Sequence, residues 1–297
     1  MRLEKKATVV STSVAGLLVI IKMTVGIFSG SIAVLASAID SFLDLTVSLF
    51  NYFALSNAEK DPDDKFHFGR SKLEPLAAVI EGTIISLSAL FILYEALGKF
   101  AHNRPMEHLN ESVMVMIASF IITALLVFFL NYVAKKTNNM VIKADALHYK
   151  TDLFSNGSVL IALVFISYTG NQLIDPILGI GIALYMIYSS IPIIKEGILM
   201  LLDAALPEEE MEQIIEIITS EPRVTTYHDL KTRESGSHIF ISFHAVFNVD
   251  ISLYEAHAIS DKLEAKLRTL YGDRTTHILI HLDPYDDSLI NQIEDHY

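Results

Sequence analysis

The sequence predicts an all-α domain of six transmembrane helices, residues 1–205, followed by a small α+β domain, residues 206–297. Hydrophobic residues make up 52% of the 297 residues, and most of them lie in runs long enough to cross a bilayer. Acidic charge is concentrated at the end, where residues 206–297 hold eighteen Asp and Glu against seven Lys and Arg. The chain has no cysteine, so only His, Asp and Glu remain as strong metal ligands.

Six apolar segments follow one another in the first two thirds of the chain. They predict helices at about 7–30, 31–58, 75–100, 113–134, 141–169 and 175–202, the last of them broken at Pro192. The first segment begins like a signal peptide, but it is too long for one and contains Lys22, so we interpret it as the first span. Lys22 is expected to extend to the lipid headgroups, and a role in an ion path is the alternative.

The charges of the connecting loops predict the orientation in the membrane. Basic residues are concentrated in the N-terminus and in the loops between helices 2 and 3 and between helices 4 and 5. The opposite loops have little beyond Lys99 and Arg104. Six spans place both termini on one side, and the positive-inside rule assigns that side to the cytoplasm.

Two polar pairs interrupt the apolar helices. Asp40 and Asp44 lie four residues apart in helix 2, and His148 and Asp152 lie four residues apart in helix 5. This spacing places each pair on one helix face, near the middle of the membrane. Because ionisable side chains inside a membrane are costly, the four residues predict a functional site for a divalent metal ion.

The chemistry of these side chains narrows the choice of ion. Three carboxylates and a neutral imidazole carry a charge of −3, so a bound divalent cation leaves −1. Tetrahedral nitrogen and oxygen coordination favours Zn²⁺ and tolerates Fe²⁺, Cd²⁺ or Co²⁺, whereas Mg²⁺ and Ca²⁺ prefer six or more oxygens. Zinc is therefore the first choice and iron the second.

The segment after helix 6 has a different pattern. It predicts an amphipathic helix that starts at Pro207, two alternating strands joined across Gly236, a helix at 252–272 and a strand at 276–285. The order αββαβ is typical of a two-layer α+β domain. An exposed sheet or helix face would favour pairing with a second copy of the chain.

Histidines are dense in this second domain. A lone histidine on a strand is more often a surface residue than a ligand, but their number predicts a cytoplasmic metal site. Asp283 follows His281 by two residues, so both point to the same face of a strand. His296 is interpreted as part of the tail. The candidates are His228, His238, His244, His257, His277, His281 and Asp283.

These motifs resemble the cation diffusion facilitator family, and most of all its bacterial ferrous-iron and zinc efflux branch. The similarity rests on GSIAVLASAIDSFLDL, ADALHYKTDLFSN, HDLKTRESG and IHLDP and covers nearly the whole chain. It implies a homodimer in the inner membrane of a bacterium that exports metal ions from the cytoplasm in exchange for protons. The implied transport site consists of Asp40, Asp44, His148 and Asp152.

The resemblance also implies roles outside the membrane. The second domain would be ferredoxin-like, or metallochaperone-like, with a binuclear metal site. Lys72 and Asp203 would form a charge interlock near the dimer interface. The implied ligands of the binuclear site are His228, His244, His257, His281 and Asp283.

The loop between helices 2 and 3 departs from the family pattern. Relatives carry an aspartate followed, three and seven residues later, by histidines that complete a cytoplasmic loop site. Here Phe66 and Arg70 follow Asp63 at those positions, and neither side chain binds a cation. A replacement site formed by Asp63, Asp64 and His67 is the alternative.

Two further functions would also use intramembrane His and Asp. A membrane metallohydrolase needs a general base beside its metal, and the sequence has no HExxH motif. A membrane metal sensor would share both metal sites without moving ions. We therefore expect a transporter and not an enzyme, with ferrous-iron or cadmium efflux as alternatives to zinc and with no nucleic-acid partner.

Overall fold

The computed structural model describes residues 2–29, 32–102, 113–169, 173–272 and 274–287. The chain divides into two compact units, Met1–Ile198 and Leu199–Tyr297. The first unit is helical, and the second combines helices with a three-stranded sheet. The predicted fold class is confirmed. Arg104 and His296 lie outside the described residues.

Six long helices form the first unit in the ranges that the structure describes. Among the described residues, five helices contain segments long and apolar enough to cross a membrane, at 3–28, 37–58, 73–98, 117–137 and 176–201, and α5 is the remaining helix. Large apolar side chains such as Phe28 and Phe128 are exposed on these helices, as expected where lipid is the solvent. The helices are α1 (Leu3–Ser29), α2 (Ile32–Ala58), α3 (Leu73–His102), α4 (Val113–Thr137), α5 (Met140–Thr169) and α6 (Ile174–Leu201).

Glycines allow α3 and α6 to approach each other closely. A Cβ atom on Gly82 would lie 2.8 Å from Ile194, and one on Gly197 would lie 2.6 Å from Val79. Real Cβ contacts are longer, so larger residues would separate the two helices. Small residues serve this purpose in membranes, where association depends on close packing.

Helix α6 continues through Pro192 as one helix, so the predicted break is wrong. Proline is tolerated in transmembrane helices when neighbouring helices and nearby hydroxyl groups compensate for the interrupted backbone bonding. Near this point the hydroxyl groups of Ser190 on α6 and Ser86 on α3 lie 2.8 Å apart and share a hydrogen bond. This contact joins α3 and α6 close to Pro192.

The second unit has the predicted order αββαβ. Its elements are α7 (Glu208–Thr219), β1 (Thr226–Ser235), β2 (His238–Val246), α8 (Leu253–Leu270) and β3 (Thr275–Asp283). The central strand β2 pairs antiparallel with β1 and parallel with β3. The parallel pairing requires a crossover, which α8 provides. Gly236, with φ of 57°, forms the tight turn between β1 and β2.

The two faces of β2 differ in chemistry. Ile239, Ile241 and Phe243 are buried in a core with Ile214 of α7 and Leu263 of α8. Because side chains alternate along a strand, the even-numbered residues of β2 lie on the opposite face of the sheet. That face carries the histidines of the strand.

Candidate metal centres

Three of the four predicted intramembrane ligands come together between α2 and α5. The Nε2 atom of His148 lies 3.3 Å from Oδ1 of Asp44 and 3.7 Å from Oδ2 of Asp152. One ligand atom from each residue lies within 4.8 Å of the other two. His148 Nε2 and Asp152 Oδ2 are buried without a hydrogen-bond partner among the described residues, and such buried polar atoms indicate a binding role.

A buried hydrogen bond beside these residues holds α5 against α2. The hydroxyl groups of Tyr149 and Ser48 lie 2.7 Å apart, and both side chains are fully buried. Tyr149 follows His148 directly, and Ser48 lies one helical turn beyond Asp44. The bond therefore fixes the distance between the two helices at the level of the ligands.

Asp40 is not part of this group of three. It lies one turn before Asp44 on α2, and its side chain is exposed. The four-residue spacing predicted correctly that both carboxylates occupy α2, but it does not bring Asp40 to the atoms contributed by α5. Its role as a metal ligand stays a prediction.

Lys22 is buried, with 8% of its side chain exposed, so the expectation that it extends to the headgroups is wrong. Its ammonium group donates a hydrogen bond of 2.8 Å to Ser41 on α2. It also interacts electrostatically with Asp44, Asp40 and Asp152. With its positive charge included, three carboxylates and a divalent ion add up to zero instead of −1.

In the second unit, a row of three histidines crosses the sheet. His228 on β1 pairs with His244 on β2, which pairs with His281 on β3, and neighbouring rings lie 4.6 and 4.5 Å apart between centroids. Asp283 contacts all three residues, at 3.3 Å from His228, 2.8 Å from His244 and 3.1 Å from His281. This buried carboxylate is the centre of the cluster.

The structure adds Asp287, which the sequence analysis missed. Its Oδ1 atom lies 3.1 Å from Nε2 of His228. His228, His244, Asp283 and Asp287 each offer a ligand atom within 4.8 Å of the others. The sequence signal was the acidic pair at 286–287 after Pro284, only four residues beyond Asp283.

Two of the implied cytoplasmic ligands lie outside this group of four. His281 contacts Asp283, but 65% of its side chain is exposed. His257 on α8 is 70% exposed and lies 3.8 Å from Asp261. Since α8 packs on the opposite face of the sheet from His244, His257 is separated from the histidine row in its own chain.

His238 and His277 form a separate pair on the same unit. Their Nδ1 and Nε2 atoms lie 3.1 Å apart, and the His277 ring stacks on Phe240. Partial burial, followed by the nearby Arg233 guanidinium, lowers the pKa of His277. A neutral His277 can share a hydrogen bond with His238, so these two histidines have a partner without metal.

In the loop between α2 and α3, Asp63 is engaged by other groups. Arg70 donates a hydrogen bond to its side chain, and the backbone N–H groups of Lys65 and Phe66 donate to Oδ1 at 3.0 and 2.9 Å. These bonds, that of Arg70 foremost, lower the pKa of Asp63. The His67 ring lies 3.1 Å from the carbonyl oxygen of Asp64. A metal ion would have to compete with these contacts.

The implied interlock between Lys72 and Asp203 stays a prediction. Asp203 belongs to the second unit, where it forms an ion pair of 2.9 Å with Arg233. Its backbone has φ of 57°, a left-handed conformation that aspartate tolerates better than most residues. The pairing of Asp203 with Arg233 was not predicted from the sequence.

Comparison with known proteins assigns both parts of the chain to one family. Residues 8–202 match the family model described as the cation efflux transmembrane domain, and residues 206–285 match that of the cation efflux protein, cytoplasmic domain. The chain is 37% identical to the cation-efflux pump FieF of Escherichia coli O1:K1 over 284 residues, which cover 95% of this chain and 93% of the relative. Pumps of the same name from Shigella sonnei and Escherichia fergusonii are 37% and 36% identical, with the same coverage. The chain therefore belongs to the cation efflux family of multi-pass membrane transporters.

Proposed function

We propose that the protein exports divalent transition-metal ions, Zn²⁺ first among them, from the cytoplasm in exchange for protons. The observation that carries this proposal is the convergence of Asp44, His148 and Asp152 within 4.8 Å. These residues lie on two helices of a transmembrane domain. Ionisable groups in such a position are costly and mark ion pathways.

The fourth ligand is Asp40, which joins the other three when the ion binds. One turn of α2 separates it from Asp44, so a small rearrangement of its side chain is required. The resulting set of three carboxylates and one imidazole suits tetrahedral Zn²⁺, with Fe²⁺, Cd²⁺ and Co²⁺ as alternatives. Lys22 makes the loaded site neutral, which lowers the cost of carrying the ion across the membrane.

Proton exchange follows from the chemistry of the same ligands. A metal ion binds the neutral imidazole of His148 and the ionised carboxylates, so protons and metal compete for the site. Acid on the outer side favours release of the ion there. At the higher pH of the cytoplasm the site loses its protons and accepts the next ion.

The second domain binds further metal ions and joins two copies of the chain. His228, His244, Asp283 and Asp287 are the ligands best supported by distance, and His281 and His257 extend them to a binuclear centre. The match to the family's cytoplasmic domain, a dimerisation domain, supports a homodimer. In this assignment residues 1–205 transport the ion, and residues 206–297 bind metal and dimerise.

The inner membrane of a bacterium is the proposed location, with both termini in the cytoplasm. The matched pumps come from bacteria, and the basic loops support the orientation by the positive-inside rule. Lys135 and Lys136, at the end of α4, would lie on the cytoplasmic side. This orientation makes outward transport an export from the cell.

Metal flux into vesicles tests the proposal directly. The purified protein is reconstituted into liposomes that contain a fluorescent zinc indicator. Either a zinc gradient is imposed or a proton gradient in which the inside of the liposomes is acidic. A transporter shows zinc uptake that the proton gradient accelerates, whereas a metal sensor binds zinc without uptake. Repeating the assay with iron, cadmium, cobalt and manganese ranks the ions.

A further inference from the structure

A second set of ionisable groups lies inside the helical unit, separate from the metal ligands. Glu81 of α3, Asp145 of α5 and Asn51 of α2 are almost completely buried, with 1%, 0% and 0% of their surfaces exposed. The Nδ2 atom of Asn51 donates to Glu81 at 3.0 Å and to Asp145 at 3.4 Å. One amide group thus bridges two carboxyl groups from two other helices. Ser11 of α1 lies beside Asp145, and its hydroxyl group donates to the carbonyl oxygen of Thr8 at 3.1 Å.

Several oxygen atoms in this cluster lack a hydrogen-bond partner in the part of the chain that the structure describes. They are Oε1 of Glu81, Oδ2 of Asp145 and Oδ1 of Asn51, and all three are buried. Buried polar groups without a partner are rare, because each one loses its bonds to water and gains none in return. All three atoms are hydrogen-bond acceptors, so the cluster has more acceptors than donor hydrogens.

The charges of the cluster lead to the same conclusion. Asn51 and Ser11 are neutral, so the hydrogen bonds to Glu81 and Asp145 do not balance two negative charges. Two ionised carboxylates so close together in a buried site repel each other, and pairs of this kind hold a proton. A proton on either group removes one charge and supplies a donor.

Other ionisable groups lie near Glu81 and Asp145 and interact with them electrostatically. They are Asp44 on α2 and His148, Tyr149 and Asp152 on α5. The two aspartates add negative charge, whereas a protonated His148 would reduce it. Bound zinc keeps His148 neutral and keeps Asp44 and Asp152 ionised. In the zinc-loaded protein, protonation of Glu81 and Asp145 can therefore be studied while the protonation of those three residues stays constant.

The position of Asn51 decides between a proton and a metal ion. Its amide hydrogens point to both carboxyl groups, and a metal ion bridging those groups would have to displace them. A proton can be added to Oε1 of Glu81 or Oδ2 of Asp145 while both bonds from Asn51 remain. The geometry therefore favours a proton as the occupant.

We propose that Glu81 and Asp145 together bind one exchangeable proton inside the membrane, at a site distinct from the metal ligands. Asp145 precedes His148 by three residues, a rise of about 4.5 Å along α5. The proposal extends the proposed exchange of metal for protons, because this proton is not displaced by direct competition for a metal ligand. Proton binding by the pair does not itself require transport.

Infrared spectroscopy of the full-length protein in lipid vesicles tests the proposal. The protein is saturated with zinc, so that the metal keeps its own carboxylate ligands ionised, and spectra at acidic and neutral pH are subtracted. We expect a carbonyl band of a protonated carboxylic acid that shifts in D₂O. It should disappear in Glu81→Gln and remain in Glu95→Gln, which alters an exposed glutamate on the same helix.

A second variant and a binding measurement keep the outcome clear. Asp145→Asn should also remove the band, and equilibrium dialysis should show that Glu81→Gln binds as much zinc as the wild type. A band that persists in both variants, or that is missing from the wild type, overturns the proposal. If the wild type binds no zinc, the proposed function fails, while the same comparison of metal-free wild type and Glu81→Gln still shows whether the pair holds a proton.

Discussion

The Nε2 atom of His148 lies 3.3 Å from Oδ1 of Asp44, and this contact joins α5 to α2 within the helical unit. Tetrahedral zinc with bonds of about 2.0 Å places neighbouring ligand atoms roughly 3.3 Å apart. The two side chains therefore already have the spacing of zinc ligands. The longer distance of 3.7 Å to Asp152 requires only a small adjustment.

Replacing Asp152 with alanine should abolish metal flux while the protein stays folded and dimeric. The variant loses one proposed ligand of the ion and one negative charge, whereas α5 does not need a carboxylate for its helical structure. Zinc uptake into proteoliposomes measures the loss, and size-exclusion chromatography checks the dimer. Glu95→Ala is the matched control and should transport normally. Wild-type flux in Asp152→Ala would refute the assignment of the site.

Zinc affinity of the intramembrane site should fall as the pH is lowered. Protons compete with zinc for His148 and the carboxylates, and an ordinary histidine has a pKa of about 6.5. The apparent affinity should therefore decrease from about pH 7.5 to about pH 5.5. The measurement uses an Asp283→Ala background, in which the cytoplasmic cluster has lost its central carboxylate. An affinity that stays constant over this range argues against proton coupling at these residues.

Replacing Lys22 with methionine should tighten zinc binding roughly tenfold, because a buried positive charge near the ion contributes about 1–2 kcal/mol of repulsion. Release should slow, so transport should fall even though affinity rises. Lys22→Arg keeps the charge and serves as the control, with near wild-type affinity. Dialysis measures binding, and stopped-flow zinc release measures the rate. Unchanged affinity in Lys22→Met would show that the ammonium group is too distant or too screened to act on the ion.

His228→Ala and Asp287→Ala should each reduce the zinc bound per chain, because both residues contribute to the group of four in the second unit. Saturating zinc should stabilise this unit in the wild type, by about 2.7 kcal/mol at a concentration one hundred times the dissociation constant. His277→Ala changes a histidine outside the group and should bind zinc normally. Calorimetry and dialysis of the full-length protein provide both readouts. Normal stoichiometry in Asp287→Ala would remove this residue from the ligand set.

The double substitution Asp63→Ala and His67→Ala should leave zinc stoichiometry and transport close to the wild type. Arg70 already holds Asp63, and the arginine cannot itself bind a cation. Loss of one bound zinc per chain would reveal that the loop binds metal.

The ion pair between Asp63 and Arg70 should also respond to pH in a defined direction. The pKa of Asp63 is lowered in the folded protein, so its contribution to stability is present above the ordinary aspartate pKa and is lost as the pH falls through the lowered value. Asp63→Asn should remove this dependence. An NMR titration of Asp63 measures its pKa in the folded protein. A pKa at or above the ordinary aspartate value contradicts the pairing with Arg70.

The sequence by itself determined the helices, the order of the second domain and the candidate ligand pairs within single elements. Six long apolar segments require helices because a bilayer leaves no other partner for the backbone. The spacing of Asp40 with Asp44 and of His148 with Asp152 defines a common helix face. The alternation in β2 and β3 likewise assigned His244 and His281 to strands. These relations depend only on the periodicity of side chains along a single helix or strand, and that periodicity can be read from the sequence.

The tertiary structure decided which of these faces meet. The rotation of α2 and α5 about their axes brings Asp44, but not Asp40, to His148, and packing with α2 buries Lys22. The layering of the second unit places His257 on the side away from the histidine row. The contacts of Asp145 with Asn51 and of Asp287 with His228 join elements far apart in the chain. Distances between elements result from packing and hydrogen bonds spread over the whole unit, and no local sequence spacing contains them.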